Sequence, residues 1–221
     1  DQTFQDSLAD ALSKLDQIDG KRQAVSDQSI PAGEAIGYYT AMNGKFLDAI
    51  GVMSEQSQDA DLTRTIAAYV HFLKGKERAG IERAVLSNTF AADAFGPGMY
   101  KKFVALVTEQ NTYLNEFKAL ASPEALTFID QAAQDASFAQ VQAYRDTAFA
   151  KAQTGGFEIE PGVWFGTITK KINKLKETED YLSTELQTQA KAAAEAAVKA
   201  EIIYVTATAF IVLIGGFGER R

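Results

Sequence analysis

Cysteine is absent from this 221-residue chain and histidine occurs once, at His71. Together these absences exclude a disulfide framework, a thiolate cage for zinc or iron–sulfur, a cysteine nucleophile and a multi-histidine metal site. There is also no Ser-His-Asp set, no glycine-rich phosphate loop and no metal-spaced cluster, so the chain reads as a non-enzyme with no catalytic residues, metal or cofactor. Lysine and arginine number 22 against 29 acids, a net charge of −7 with no compensating basic patch. Such a surface repels a phosphate backbone, and no nucleic acid is expected as partner. Missing cysteine leaves the redox compartment open.

Proline is scarce, and no alternating strand pattern persists outside Phe157-Glu158-Ile159-Glu160. What the chain does have is 46% hydrophobic residues, enough for a core of one domain or two small ones, set almost everywhere at helical spacing. Phe4, Leu8, Ala11, Leu15, Ile18 and Val25 recur at steps of three or four, with Arg22 filling one step, which predicts one helix over 4–25. Pro31 and Gly33 break it. Further helices are predicted over about 34–55, from Asp61 past Phe90 to the Gly96-Pro97-Gly98 stop, over 99–121, after the Ser122-Pro123-Glu124 start signal, and over 138–152. Thr154-Gly155-Gly156 ends that one, and the last helix runs from Val163 without a breaker. The fold class is therefore all-α: an extended antiparallel assembly, expected as two stacked four-helix-type bundles sharing long elements.

Residues 202–218, IIYVTATAFIVLIGGFG, carry no charge and precede Glu219-Arg220-Arg221. They read as a transmembrane helix with a positive flank, the other reading being a buried core helix. On the membrane reading, residues 1–201 are a periplasmic sensor domain anchored in the inner membrane through 202–218. The alanine-rich KAAAEAAVKA at 191–200 then suggests a homodimer with its axis along the membrane normal.

Leu15, Ile18, Arg22 and Val25 fall at steps of three, four and three, which aims Arg22 where a leucine would pack. A buried arginine requires a carboxylate or an anionic ligand, unless it snorkels to the surface. Trp164, Ile168, Leu175 and Leu182 define the apolar face of the last helix, and Lys171 lies on the edge of that stripe. Gly80, inside a strong helix, suggests close approach of another helix or of a ligand. Lys74 and Arg78 read as a solvated face and His71 as structural.

Several segments carry a family resemblance. AAYVHFLKGKERAGIERAVLSNTFA at 67–91, KRQAVS at 21–26, LVTEQNTYLNEFKALA at 106–121, and Trp164 followed by TKKINKLKETEDYL at 169–182 resemble, in order, the nitrate- and nitrite-sensing (NIT) domain. The resemblance implies an all-helical extracytoplasmic sensor of bacterial chemoreceptors, cyclases or kinases, in which an arginine matching Arg22 binds nitrate. A second ligand arginine commonly stands in a T-x-R-I motif, where this chain reads Thr169-Lys170-Lys171-Ile172; lysine keeps the charge and loses the bidentate fork. Glu82 and Arg83 of the signature helix then orient the binding arginine. The expected ligand-binding set is Arg22, Lys171, Arg83, Gly80 and Thr169, the partner a small anion, nitrate or nitrite. An anion drawn between Arg22 and Lys171 would pull the first and last helices together and send the shift across the membrane as a receptor signal. The alternative is a ligand-free dimerisation or spacer module, in which Arg22 is paired with a protein carboxylate.

Overall fold

Scarce proline leaves long stretches free to stay helical, and the computed structural model, which describes residues 2–57 and 59–218, contains eight helices. They are α1 (Gln2–Leu15), α2 (Ile18–Ser26), α3 (Ala32–Gln56), α4 (Ala60–Ala92), α5 (Met99–Leu120), α6 (Pro123–Ala132), α7 (Ala136–Ala150) and α8 (Pro161–Gly218). The described residues contain no strand; Phe157–Glu160 is an extended connection. Local chemistry sets the ends. The Asp59 carboxylate accepts from the amides of Asp61 and Leu62 at the start of α4, and the Ser122 hydroxyl accepts from Ala125 N ahead of the N1 proline of α6. α4 ends on Asp93 in the left-handed region, φ 49°. The same side chain reaches across to accept from the amides of Gly156 and Phe157, both at 2.9 Å. Gly155 (φ 66°) passes so close that a Cβ there would collide with the Asp93 carbonyl.

α5 and α8 each run antiparallel to α4, and the three form three corners of one bundle. The short α6 and α7 follow one another along the fourth. Two apolar clusters fill the interior. One gathers Leu86, Phe90, Phe103, Val141, Phe157, Trp164 and Ile168, while the other gathers Phe72, Ala79, Phe117, Ala125, Ile129, Leu175 and Leu182. α3 lies on the outer flank of α4, and α1 and α2 pack on α3. The described residues thus form one four-cornered bundle with a helical flank, where two stacked four-helix bundles were expected.

Two further expectations change. The helix expected over 4–25 is interrupted at Asp16-Gln17, where Asp16, Asp19 and Gly20 are poor interior helix formers; only Ala11 is buried in α1 and nothing in α2. The break resets the angular phase, so the stripe that aimed Arg22 inward does not continue through it. At the other end, no helix among the described residues is long and apolar enough to cross a membrane. The 17 residues from Ile202 to Gly218 rise only about 25 Å against a hydrocarbon core of about 30 Å. The side chains of 207–218 and the 219–221 flank lie outside the described residues. No described helix therefore supports the expected transmembrane span at 202–218, nor the membrane partner, the inner-membrane and periplasmic placement and the membrane-normal dimer axis that were derived from it.

Trp164 is fully buried, edge-on to Phe90, and its Nε1 donates to the Arg83 carbonyl at 3.1 Å. Trp164→Ala should cost about 3–5 kcal/mol of stability, read as a lowered urea midpoint with helix content retained in native buffer.

Candidate functional site

Between the two apolar clusters every corner of the bundle places one polar residue in its core stripe. On α4 the stripe runs Ala79, Glu82, Leu86; on α5 it runs Phe103, Leu106, Gln110, Phe117. On α7 it runs Val141, Arg145, Ala148, and on α8 Trp164, Ile168, Lys171, Leu175. Helical spacing carries each polar side chain inward as it would a leucine. Glu82 is 0% exposed. The Arg145 guanidinium grips it with two parallel bonds, Nε to Oε1 and Nη2 to Oε2, each 2.6 Å. Gln110 closes the triangle: its Nε2 donates to Glu82 Oε2 at 2.8 Å and its Oε1 accepts from Arg145 Nη2 at 2.7 Å. A planar fork meeting a planar carboxylate is the strongest side-chain pairing available, and a buried ion needs it.

Lys171 completes the layer without being paired. It is 7% exposed, and its ammonium sits 5.5 Å from the centre of the Phe138 ring. Among the described residues no carboxylate forms an ion pair with it. Burial pushes its pKa down to about 8; the Arg145 charge pushes the same way, and Glu82 opposes both. Because Arg145 already holds Glu82, the layer has two cations and one anion, leaving one positive charge in excess.

The remaining expected residues divide. Arg83 and Thr169 are brought together: Arg83 Nη1 donates to Thr169 Oγ1 at 3.0 Å and the guanidinium stacks 4.8 Å over Phe165. Arg83 is half-buried, which lowers its pKa by desolvation. Both lie within one turn of Lys171 on α8 or of Glu82 on α4. Gly80 meets open space where a Cβ would stand, so no close helix approach explains it; Gly75, against Leu114 and Tyr113, is the packed glycine of this helix. Arg22 does not point inward. Its side chain is 65% exposed and lies 3.6 Å from Asp19 on the same helix, and it is not among the charges that act on Lys171. At that residue the structure has the carboxylate pairing that a spacer module requires.

Sequence reasoning missed Arg145 and Gln110. The signal was available, since Val141, Arg145 and Ala148 fall at steps of four and three. That is the pattern that singled out Arg22, on a helix with no interruption to spoil it. Glu82 does orient an arginine, but the arginine is Arg145.

A cleft of about 510 Å³ lies elsewhere, between the start of α4, the α5–α6 turn and α8. Thr65, Tyr69, Gln189 and several alanines line it, with the exposed Arg64 at its edge. It contains no buried excess charge, and for an ionic ligand the polar layer is the stronger candidate.

Comparisons with known proteins agree with this architecture. A family model described as nitrate and nitrite sensing matches residues 1–187. The nitrate regulatory protein of Klebsiella oxytoca is 26% identical over 189 residues, covering 85% of this chain and 47% of that protein. The solved structure of the NasR transcription antiterminator superposes with a TM-score of 0.79 at 24% identity, covering 87% of this chain and 52% of that one. The chain thus spans about half the length of these relatives. Where a transmembrane chemotaxis-type receptor without a nucleic-acid partner was expected, the matched proteins are named as a nitrate regulatory protein and a transcription antiterminator.

The depressed Lys171 pKa gives a pH dependence of known sign. Between about 8 and the ordinary 10.5 the unfolded chain binds the proton and the folded one does not, so stability from this group rises with pH across that window. Below pH 8 the folded state carries the full burden of the buried charge, on the order of 3 kcal/mol. Lys171→Met should therefore be more stable than the wild type at pH 7 by urea unfolding, with the difference shrinking toward pH 10.

Proposed function

We propose that this chain, which belongs to the nitrate- and nitrite-sensing (NIT) family, is the anion-sensing module of a longer regulatory protein, and that it holds nitrate or nitrite in the polar layer of its bundle. The observation that carries this reading is the excess positive charge at Lys171. A cation 7% exposed with no ion-pair partner is unfavourable by itself and becomes favourable with a small anion beside it. Arg83 and Thr169, joined to each other across α4 and α8, stand one and two positions from Glu82 and Lys171, on other faces of their helices, so they border the layer without adding to its charge. The module binds and reports; it performs no chemistry.

The output follows from the same geometry. Glu82, Gln110, Arg145 and Lys171 come from four different helices, so an anion that changes the charge of their layer acts on all four corners at once. α8 is the element that carries such a change out of the bundle, being 58 residues long. The Klebsiella relative is named as a nitrate regulatory protein, which supports regulation as the destination of the signal.

A ligand bound only by the folded state stabilises it by RT ln(1 + [L]/Kd), about 2.7 kcal/mol at a hundredfold excess. Nitrate, and more weakly nitrite, should raise the melting temperature of the chain, while chloride at equal ionic strength should not. Lys171→Met should remove the shift, and Lys171→Arg should enlarge it by restoring a bidentate fork. Arg22→Ala decides whether α2 also joins the site: an unchanged shift leaves the anion to the bundle cations alone. Absence of any nitrate-specific shift in the wild type would remove nitrate from this reading.

A further inference from the structure

We propose that Glu82 sets the valence of the anion this bundle accepts, restricting it to monovalent oxyanions. The inference rests on the anion reading above. Its basis is the way the charges of the layer are already committed. Both Glu82 oxygens are taken, Oε1 by Arg145 and Oε2 by Arg145 and Gln110. Glu82 therefore neutralises Arg145, and it forms no ion pair with Lys171. The groups facing Lys171 from the other corners are Glu82 on α4, the neutral Gln110 on α5, and Arg145 with Phe138 on α7. On α8 itself, Lys174 turns to Glu177 at 2.8 Å. One positive charge is left over.

An interior with one uncompensated charge accepts one opposite charge. A monovalent anion makes the layer neutral. A dianion would leave it at −1 with the full desolvation penalty of an unpaired buried ion, which no shape complementarity repays in a low-dielectric site. Discrimination between nitrate and a divalent oxyanion such as sulfate then comes from counting residues, and Glu82 is the residue that sets the count. Removing its charge while keeping its shape should raise the layer to +2 and admit the dianion, with the loss of the bond accepted by whichever oxygen the amide nitrogen replaces.

The test is calorimetric titration of the whole 221-residue chain with nitrate and with sulfate at pH 7 and constant ionic strength. The wild type should bind nitrate and bind sulfate far more weakly. Glu82→Gln should improve sulfate binding by about tenfold or more and so compress the nitrate-to-sulfate ratio. Since that variant buries two cations and its fold is at risk, a second pair carries the same logic without excess charge. Arg145→Gln leaves Glu82 to pair with Lys171, a neutral layer that should lose nitrate. Adding Glu82→Gln to it returns the layer to +1 and should restore nitrate binding although Arg145 is gone. A role for Arg145 as a direct ligand predicts no such rescue. Nitrate bound by the wild type with an unchanged ratio in Glu82→Gln, or with no rescue in the double variant, overturns the valence rule and leaves the anion reading standing. No nitrate binding by the wild type overturns the anion reading itself.

Discussion

A carboxylate with no exposed surface has to be neutralised where it stands, and Glu82 is neutralised by Arg145 through two bonds of 2.6 Å. The bundle is arranged around that requirement. α4 and α7 are separated by the whole of α5 and α6 in sequence, yet they are held at the distance that lets a guanidinium fork close on a carboxylate. Gln110 on α5 bonds to both members, which leaves neither the carboxylate nor the fork free to turn. Breaking such a pair by removing one partner is worth about 3–5 kcal/mol, comparable to emptying a core aromatic site. The pair divides the interior into two apolar clusters and gives the molecule a polar midpoint.

The midpoint is also where function concentrates, because the pair is complete and Lys171 is extra. A structural ion network balances its charges, whereas this one carries a cation whose pKa is pushed down to about 8 by burial and by Arg145. Folding tolerates that charge instead of using it. Sites that keep an unfavourable arrangement in the unliganded state are those where a ligand can repay it.

Much of the fold was readable from hydrophobic spacing and start and stop signals. The α5, α6 and α8 assignments rest on runs such as Phe103, Leu106, Phe117 and on the Ser122-Pro123 cap, which are local and unambiguous. Lys171 was readable for the same reason, lying between Ile168 and Leu175 on an unbroken helix. Arg22 was misread because periodicity assumes one continuous helix, and two aspartates and a glycine near residue 18 were enough to divide it. Arg145 was overlooked, although its stripe is as regular as any in the chain. Its partner Glu82 was named for the right task and attached to the wrong arginine, since a sequence gives the face of each side chain and not the pairing between faces. The membrane span rests on a charge-free run of 17 residues at the short edge of what a bilayer crossing needs, and no described helix is long and apolar enough to cross one.

The central claim is that the Lys171 ammonium is a buried, unpaired cation that an anion completes. The most direct measurement is an NMR titration of the Lys171 side chain, followed through its 13Cε shift with and without saturating nitrate. The account predicts a midpoint near 8 in the absence of nitrate and a distinct upward displacement when nitrate is bound, because a neighbouring negative charge favours the protonated form. A midpoint at the ordinary lysine value of about 10.4, or one that nitrate leaves unmoved, would contradict it.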